Sequence, residues 1–103
     1  MVDRQYLDGN KVAVVFKKRG EEKTYFAKGR VGQSLIWLLH KGRDGVTAQE
    51  ISSWALRLGA YVFLLRHDYN LNIITIREPH DGGYHARYVL KDDVEIVRFI
   101  PSL

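Results

Sequence analysis

The segment "LNIITIREPHDGGYHARYVLK", Leu71 to Lys91, constrains the fold of this chain more than any other stretch. Two runs rich in β-branched and aromatic residues flank a short polar turn, the pattern of an antiparallel hairpin. "LNIITIRE" reads as one strand, "PHDGG" as the turn and "YHARYVLK" as the returning strand. Asp81-Gly82-Gly83 offers the positive φ values that a tight hairpin needs. Pro79 lacks an N–H and suits a strand end.

The rest of the chain must supply elements around this hairpin. "KVAVVFKKRGEEKTYFAK" reads as a second hairpin, residues 11–28, turning at Gly20. Its first strand is apolar on both faces, which predicts cover on more than one side. "GQSLIWLLHKG" reads as a first helix: Leu35, Leu38 and Leu39 fall at i, i+3, i+4, and Gly42 is a stop. Thr47 and Glu50 make a capping-box pattern that predicts a short second helix with Ile51 and Trp54 on its core side. "SWALRLGAYVFLLRHDYN" reads as a third helix with Leu58, Val62, Leu65 and Tyr69 on one face and Asn70 at its C-cap. The tail "DDVEIVRFIPSL", residues 92–103, turns apolar and either adds a strand or packs on the body.

Read in this order, the 103 residues make one α+β domain with no linker and no internal repeat. From Gly32 to Lys91 the sequence resembles the winged helix-turn-helix domains of small bacterial and phage proteins. The residues that carry the resemblance are Arg57, Leu58, Leu65, Arg66, Ile73, Gly82, Gly83, Ala86, Arg87, Tyr88 and Leu90. The resemblance implies three helices (a helix-turn-helix at about 31–69) and a two-stranded C-terminal wing (about 71–91), here preceded by the N-terminal hairpin. It also implies double-stranded DNA as the partner, with the third helix in the major groove and the wing on the backbone or minor groove. Carried over by position, Arg57, Arg66 and His67 are the expected helix contacts, and Arg77, His80 and Arg87 the wing contacts. A small regulator or phage-related accessory factor, acting by binding alone, is the role this implies.

Charge placement qualifies that expectation. Residues 1–30 hold eight basic and four acidic residues, whereas residues 31–103 hold eight of each. The basic excess therefore lies outside the helix-turn-helix region, and phosphate neutralisation supplies most non-specific DNA affinity. Lys17, Lys18 and Arg19 at the hairpin turn are the expected source of that charge; a solvated hairpin with surplus lysines is the plainer alternative.

The third helix raises a second question. With Leu58, Val62, Leu65 and Tyr69 toward the core, the opposite face carries Leu56, Ala60, Phe63 and His67, with Leu64 and Arg57 at its margin. A helix apolar on both faces is normally buried on both. Either the hairpin or tail of the same chain covers Leu56, Phe63 and Leu64, or they form an interface for a second copy or another protein.

Other chemistries find little support. His80, Asp81 and His85 are imidazole and carboxylate groups of the kind that bind zinc, but hairpin residues alternate faces and no fourth ligand is evident. Ser52, His67 and Asp68 make a hydrolase triad only on paper, without a nucleophile elbow. Ser52 and Ser53 read better as helix-turn residues that satisfy backbone N–H groups. "KGRDG" lacks the Gly-Lys-Ser/Thr ending of a phosphate loop. Trp37 and Trp54 read as core, and Tyr84 as the exposed aromatic of the wing tip. Hence neither enzyme activity, cofactor nor small-molecule substrate is expected. The chain has no cysteine, no apolar run of the roughly 20 residues that span a bilayer, and a charged start unlike a signal peptide. A cytoplasmic protein that uses no membrane is the expectation.

Overall fold

A computed structural model describes residues 12–51 and 53–101. Among the described residues, two three-stranded antiparallel sheets accompany two α-helices. Strand β1 (Val12–Lys18) lies between β2 (Thr24–Ala27) and β6 (Val94–Pro101). Strand β5 (Gly83–Leu90) lies between β3 (Val46–Thr47) and β4 (Ile73–His80). Helix α1 spans Gly29–Lys41 and α2 spans Leu58–Tyr69. Both expected hairpins are present, with Gly20 and Gly82 at φ 87° and 83° in their turns. Gly83 does not share that conformation. It opens β5 opposite His80, so the wing turn is Asp81-Gly82 alone.

The structure differs from two expectations. The first concerns the helices: two α-helices stand among the described residues, not three. Thr47 and Glu50 do engage, the Thr47 N–H donating to Glu50 Oε1 at 2.8 Å. They start only a 3-10 turn, Ala48–Glu50, because Ile51 leaves helical space at φ −98°, ψ −92°. A second 3-10 turn, Ser53–Arg57, leads into α2, which therefore begins at Leu58 rather than Ser53. The tighter pitch has a packing reason. Residues three apart eclipse in a 3-10 turn, and this puts Ala55 and Leu58 together in the core at 0% and 1% exposure. Val62 and Leu65 continue that face at α-helical spacing.

The second correction concerns the strands. The wing has three strands rather than two, because Val46–Thr47 pairs with Tyr88 and Arg87. Of the two alternatives for the tail, the added strand is the one present: it is β6, hydrogen-bonded along the whole of β1. Val15 faces Arg98 and Phe16 faces Ile96, so Val97 is the extra residue of a bulge. The apolar character of β1 is explained by its central place: Ala13, Val14, Val15 and Phe16 are all buried.

The core runs from β1 through both helices to the wing. Phe16 stacks on Tyr25 at 5.3 Å and tilts against Tyr69 of α2 at 5.6 Å. Leu35 and Leu38 of α1, Leu58, Val62 and Leu65 of α2, and Ile73 of the wing belong to the same cluster. Ile51, Trp37 and Trp54 pack against it half-buried, as their sequence contexts predicted. Asn70 ends α2 in the left-handed conformation, φ 55°, as a C-cap should.

Candidate nucleic-acid interface

The alternation of β4 and β5 gives the wing two faces with different employment. Thr75 and Arg77, with Tyr84, Ala86 and Tyr88, lie on the face toward α2. The approach is close, since a Cβ at Gly59 of α2 would stand 3.1 Å from the Tyr88 hydroxyl. Arg66 of α2 fixes the angle between helix and wing. Its Nε and Nη2 donate to the Ile73 carbonyl at 2.8 and 2.5 Å, and Nη2 donates also to Thr75 Oγ1 at 2.7 Å. Further out, the Arg77 guanidinium lies over the Tyr84 ring at 4.7 Å, which holds both side chains extended from the wing.

The opposite wing face carries an ion network. Glu78 Oε1 lies 2.8 Å from His85 Nε2, and Arg87 Nε donates to Glu78 Oε2 at 2.7 Å. Arg87 Nη1 reaches Glu50 Oε1 at 3.2 Å and the carbonyls of Asp44 and Gly45 at 3.2 and 3.4 Å. This ties the wing to the turn that precedes α2. The hydrogen bonds from Arg87 and His85 hold the Glu78 carboxyl below the usual carboxylate range. Burial pushes the Glu50 carboxyl up, but the Thr47 backbone N–H, Lys41 and Arg87 together outweigh it and lower its pKa. Both depressed carboxyls stabilise the fold fully above the ordinary glutamate pKa of about 4.3, and that stability is lost as pH falls through the lowered folded values. The transition temperature should therefore be level from pH 7 to about 5 and fall below pH 4. Glu78→Gln should flatten part of that fall in a pH series of melting curves; an identical pH profile would show that the network adds nothing.

The expected contact residues thus separate. Arg57 is exposed just ahead of α2, and His67 is exposed on α2, stacked on Phe63 at 5.6 Å. Arg77 and His80 are exposed on the wing. Arg66 and Arg87 are occupied by the bonds above. Lys18 donates to the Asn70 carbonyl at 2.6 Å and lies 3.7 Å from Asp92, while Arg19 pairs with Asp93 at 2.6 Å. Lys17 lines a shallow depression with Glu21, Glu22 and Glu95. Acids of the turn and tail thus offset the hairpin cations locally. Of the remaining carboxylates, Asp68 lies on α2, 3.0 Å from His67 Nδ1, and Asp81 lies in the exposed wing turn.

Leu56, Phe63 and Leu64 are 84%, 59% and 36% exposed, so the described residues of the hairpin and tail leave them uncovered. Of the two explanations for an apolar outer face, cover by the described residues of the hairpin and tail is not the one seen. Ile74 and Ile76 add exposed apolar surface on the far wing face. Among the described residues no group of three or more His, Asp or Glu could hold a metal ion; His80 and His85 stack at 5.1 Å, with His85 turned to Glu78. Ser52 lies outside the described residues.

A family model described as a winged helix domain matches residues 24–99. The chain belongs to this winged helix family. No curated protein and no solved structure matches the chain. Winged helix domains are commonly DNA-binding modules and typically not enzymes. The match begins at the first residue of β2 and ends inside β6, so β1, the strand between them, lies outside it. Among the described residues of this winged helix domain, no helix is long and apolar enough to cross a membrane.

Two contacts of the winged helix surface differ in how far the sequence reveals them. The Glu78–His85 contact was readable once the turn was fixed, because these residues face each other across the hairpin. The Arg87–Glu50 contact was not, because it joins elements 37 residues apart.

Proposed function

We propose that this winged helix domain binds double-stranded DNA through the outer face of α2 and the adjoining wing face, as a small cytoplasmic regulator or phage-related accessory factor without catalysis. The observation that carries the reading is the sorting of charge. Residues 31–103 have no net charge, yet Glu50 and Glu78 are bound to Arg87 on the far wing face, and Asp92 and Asp93 are turned to Lys18 and Arg19. Arg57 and Arg77 are left as exposed cations beside α2 and along the wing. Arginine suits this place because its planar fork grips guanine or phosphate with two hydrogen bonds. In this reading Arg57 and His67 contact DNA from the helix end of the surface and Arg77 from the adjoining wing face, whereas His80 lies on the far wing face, stacked on His85 at 5.1 Å. Arg66 and Arg87 hold the helix and wing in register.

The test is fluorescence anisotropy against random-sequence duplex DNA across a salt series. Affinity should fall steeply with salt, and Arg77→Ala should reduce the slope of log K against log salt by about one unit. A flat response at low salt would sink the reading.

A second reading is favoured by the exposure of Leu56, Phe63 and Leu64. On it, the α2 face docks a second copy or another protein, and Phe63→Asp abolishes that association. The two readings separate in one sedimentation experiment with and without DNA, because they use the same helix face.

A further inference from the structure

We infer that the outer face of α2 reads the C5-methyl groups of pyrimidines in the major groove, so that thymine-bearing duplexes are the preferred ligand. This rests on the DNA-binding reading and adds to it the base chemistry. The face is dominated by Leu56, Ala60, Phe63 and Leu64, all exposed. Polar groups able to read a base edge are scarce beside them. Arg66 is held by the Ile73 carbonyl and Thr75, and His67 lies flat on Phe63 with an interplanar angle of 10° and its Nδ1 beside Asp68.

The major groove offers hydrogen-bond donors and acceptors at every base pair, but one apolar group only, the thymine methyl. An apolar strip gains by covering that methyl. Set against a G·C pair, it instead covers the guanine N7 and O6 acceptors with nothing to donate to them, and an unsatisfied buried acceptor is costly. The charge around the strip points to DNA rather than to an apolar protein surface. Arg57 stands at its start and Arg77, over the Tyr84 ring, lies on the wing face toward α2; the one acid at the strip's far end, Asp68, is turned to His67, so the exposed cations there suit an anionic backbone.

The experiment compares four duplexes of equal length with the full chain at low salt, by fluorescence anisotropy. They are alternating A·T, the same with deoxyuridine in place of thymidine, alternating G·C, and the same with 5-methylcytosine. Neither replacement changes the Watson–Crick hydrogen bonds; each changes only the methyl. The thymine duplex should bind about four-fold or more tighter than the uracil duplex, the value for one buried methyl group. The 5-methylcytosine duplex should gain over the cytosine duplex in the same way. Phe63→Ala, at a site more than half exposed and checked for fold by circular dichroism, should bring both ratios to about one. Equal binding of the thymine and uracil duplexes, with salt-dependent affinity retained, overturns the methyl inference and leaves the DNA-binding reading standing. Failure to bind any of the four overturns both, and Phe63-dependent self-association in sedimentation would then give the face to a second copy.

Discussion

Phe16→Ala should lower the free energy of unfolding by about 3–5 kcal/mol, the range for deleting a buried phenylalanine side chain. Phe16 is fully buried and stacks on Tyr25 while tilting against Tyr69 of α2. The void left between β1 and α2 is flanked by two large rings, one of them tied, Tyr69 donating its hydroxyl to the Phe26 carbonyl at 2.8 Å. Tyr69 cannot collapse far into it, which places the cost toward the upper end. Typical domains are stable by only about 5–15 kcal/mol, so much of the total is at stake. Urea denaturation followed by circular dichroism measures it. The result bears on architecture, because Phe16 belongs to β1, the strand outside the family match. A loss below about 1 kcal/mol would mean that the first sheet is an appendage to the winged helix body. The proximity of Phe16 to Tyr69 predicts instead that the two melt as one unit.

Gly45→Ala should cost about 2–5 kcal/mol, from two independent sources. Gly45 sits at φ 70°, ψ 175°, a region that only glycine occupies without strain. A Cβ there would also stand 2.8 Å from the Tyr88 carbonyl oxygen and 2.8 Å from Val89 Cγ2. Both obstacles belong to the central wing strand and cannot move without displacing it. The comparison variant is Gly82→Ala at the wing tip. Its φ is 83°, but a Cβ would meet nothing within 4 Å, so only the conformational cost of about 1–2 kcal/mol applies. Thermal melts of the two variants should rank Gly45→Ala well below Gly82→Ala. Equal losses would show that the approach of the wing base to residue 45 is looser than the geometry indicates. Because the Gly45 carbonyl also accepts from Arg87 Nη1, the Gly45 variant should in addition weaken any ligand contact that depends on the wing's angle.

Much of the architecture was legible because its signals are local. Alternation of apolar residues and an Asp-Gly turn specified the wing, and the i, i+4, i+7 spacing of Leu58, Val62 and Leu65 specified the core face of α2. The same wheel placed Leu56 and Phe63 on the opposite face, where they are exposed. The middle helix was misread because a capping box fixes how a turn starts and not how far it continues. Propagation needs residues that go on packing at α-helical spacing, and Ala55 and Leu58 are served by a 3-10 pitch instead. The third wing strand was missed because two residues, Val46 and Thr47, carry no periodicity; they are a strand only by pairing with β5.

Contact residues show the same division. Sequence by itself determined which groups are cationic, that Arg57 lies at the start of α2 and Arg77 in the wing, and that the outer face of α2 is apolar. These follow from composition and helical or strand period, which are properties of a short stretch. Only the tertiary structure decided which cations are free. Glu50 and Glu78 reach Arg87, Asp92 approaches Lys18, Asp93 meets Arg19 and the Ile73 carbonyl meets Arg66. Except for Arg66 and its carbonyl, these partners lie 9 to 74 residues apart. Electrostatic attraction acts over a few ångströms of space and is indifferent to separation along the chain. A neutral count over residues 31–103 therefore leaves open where the charge lies, and folding is what pairs Glu50, Glu78, Asp92 and Asp93 with Arg87, Lys18 and Arg19.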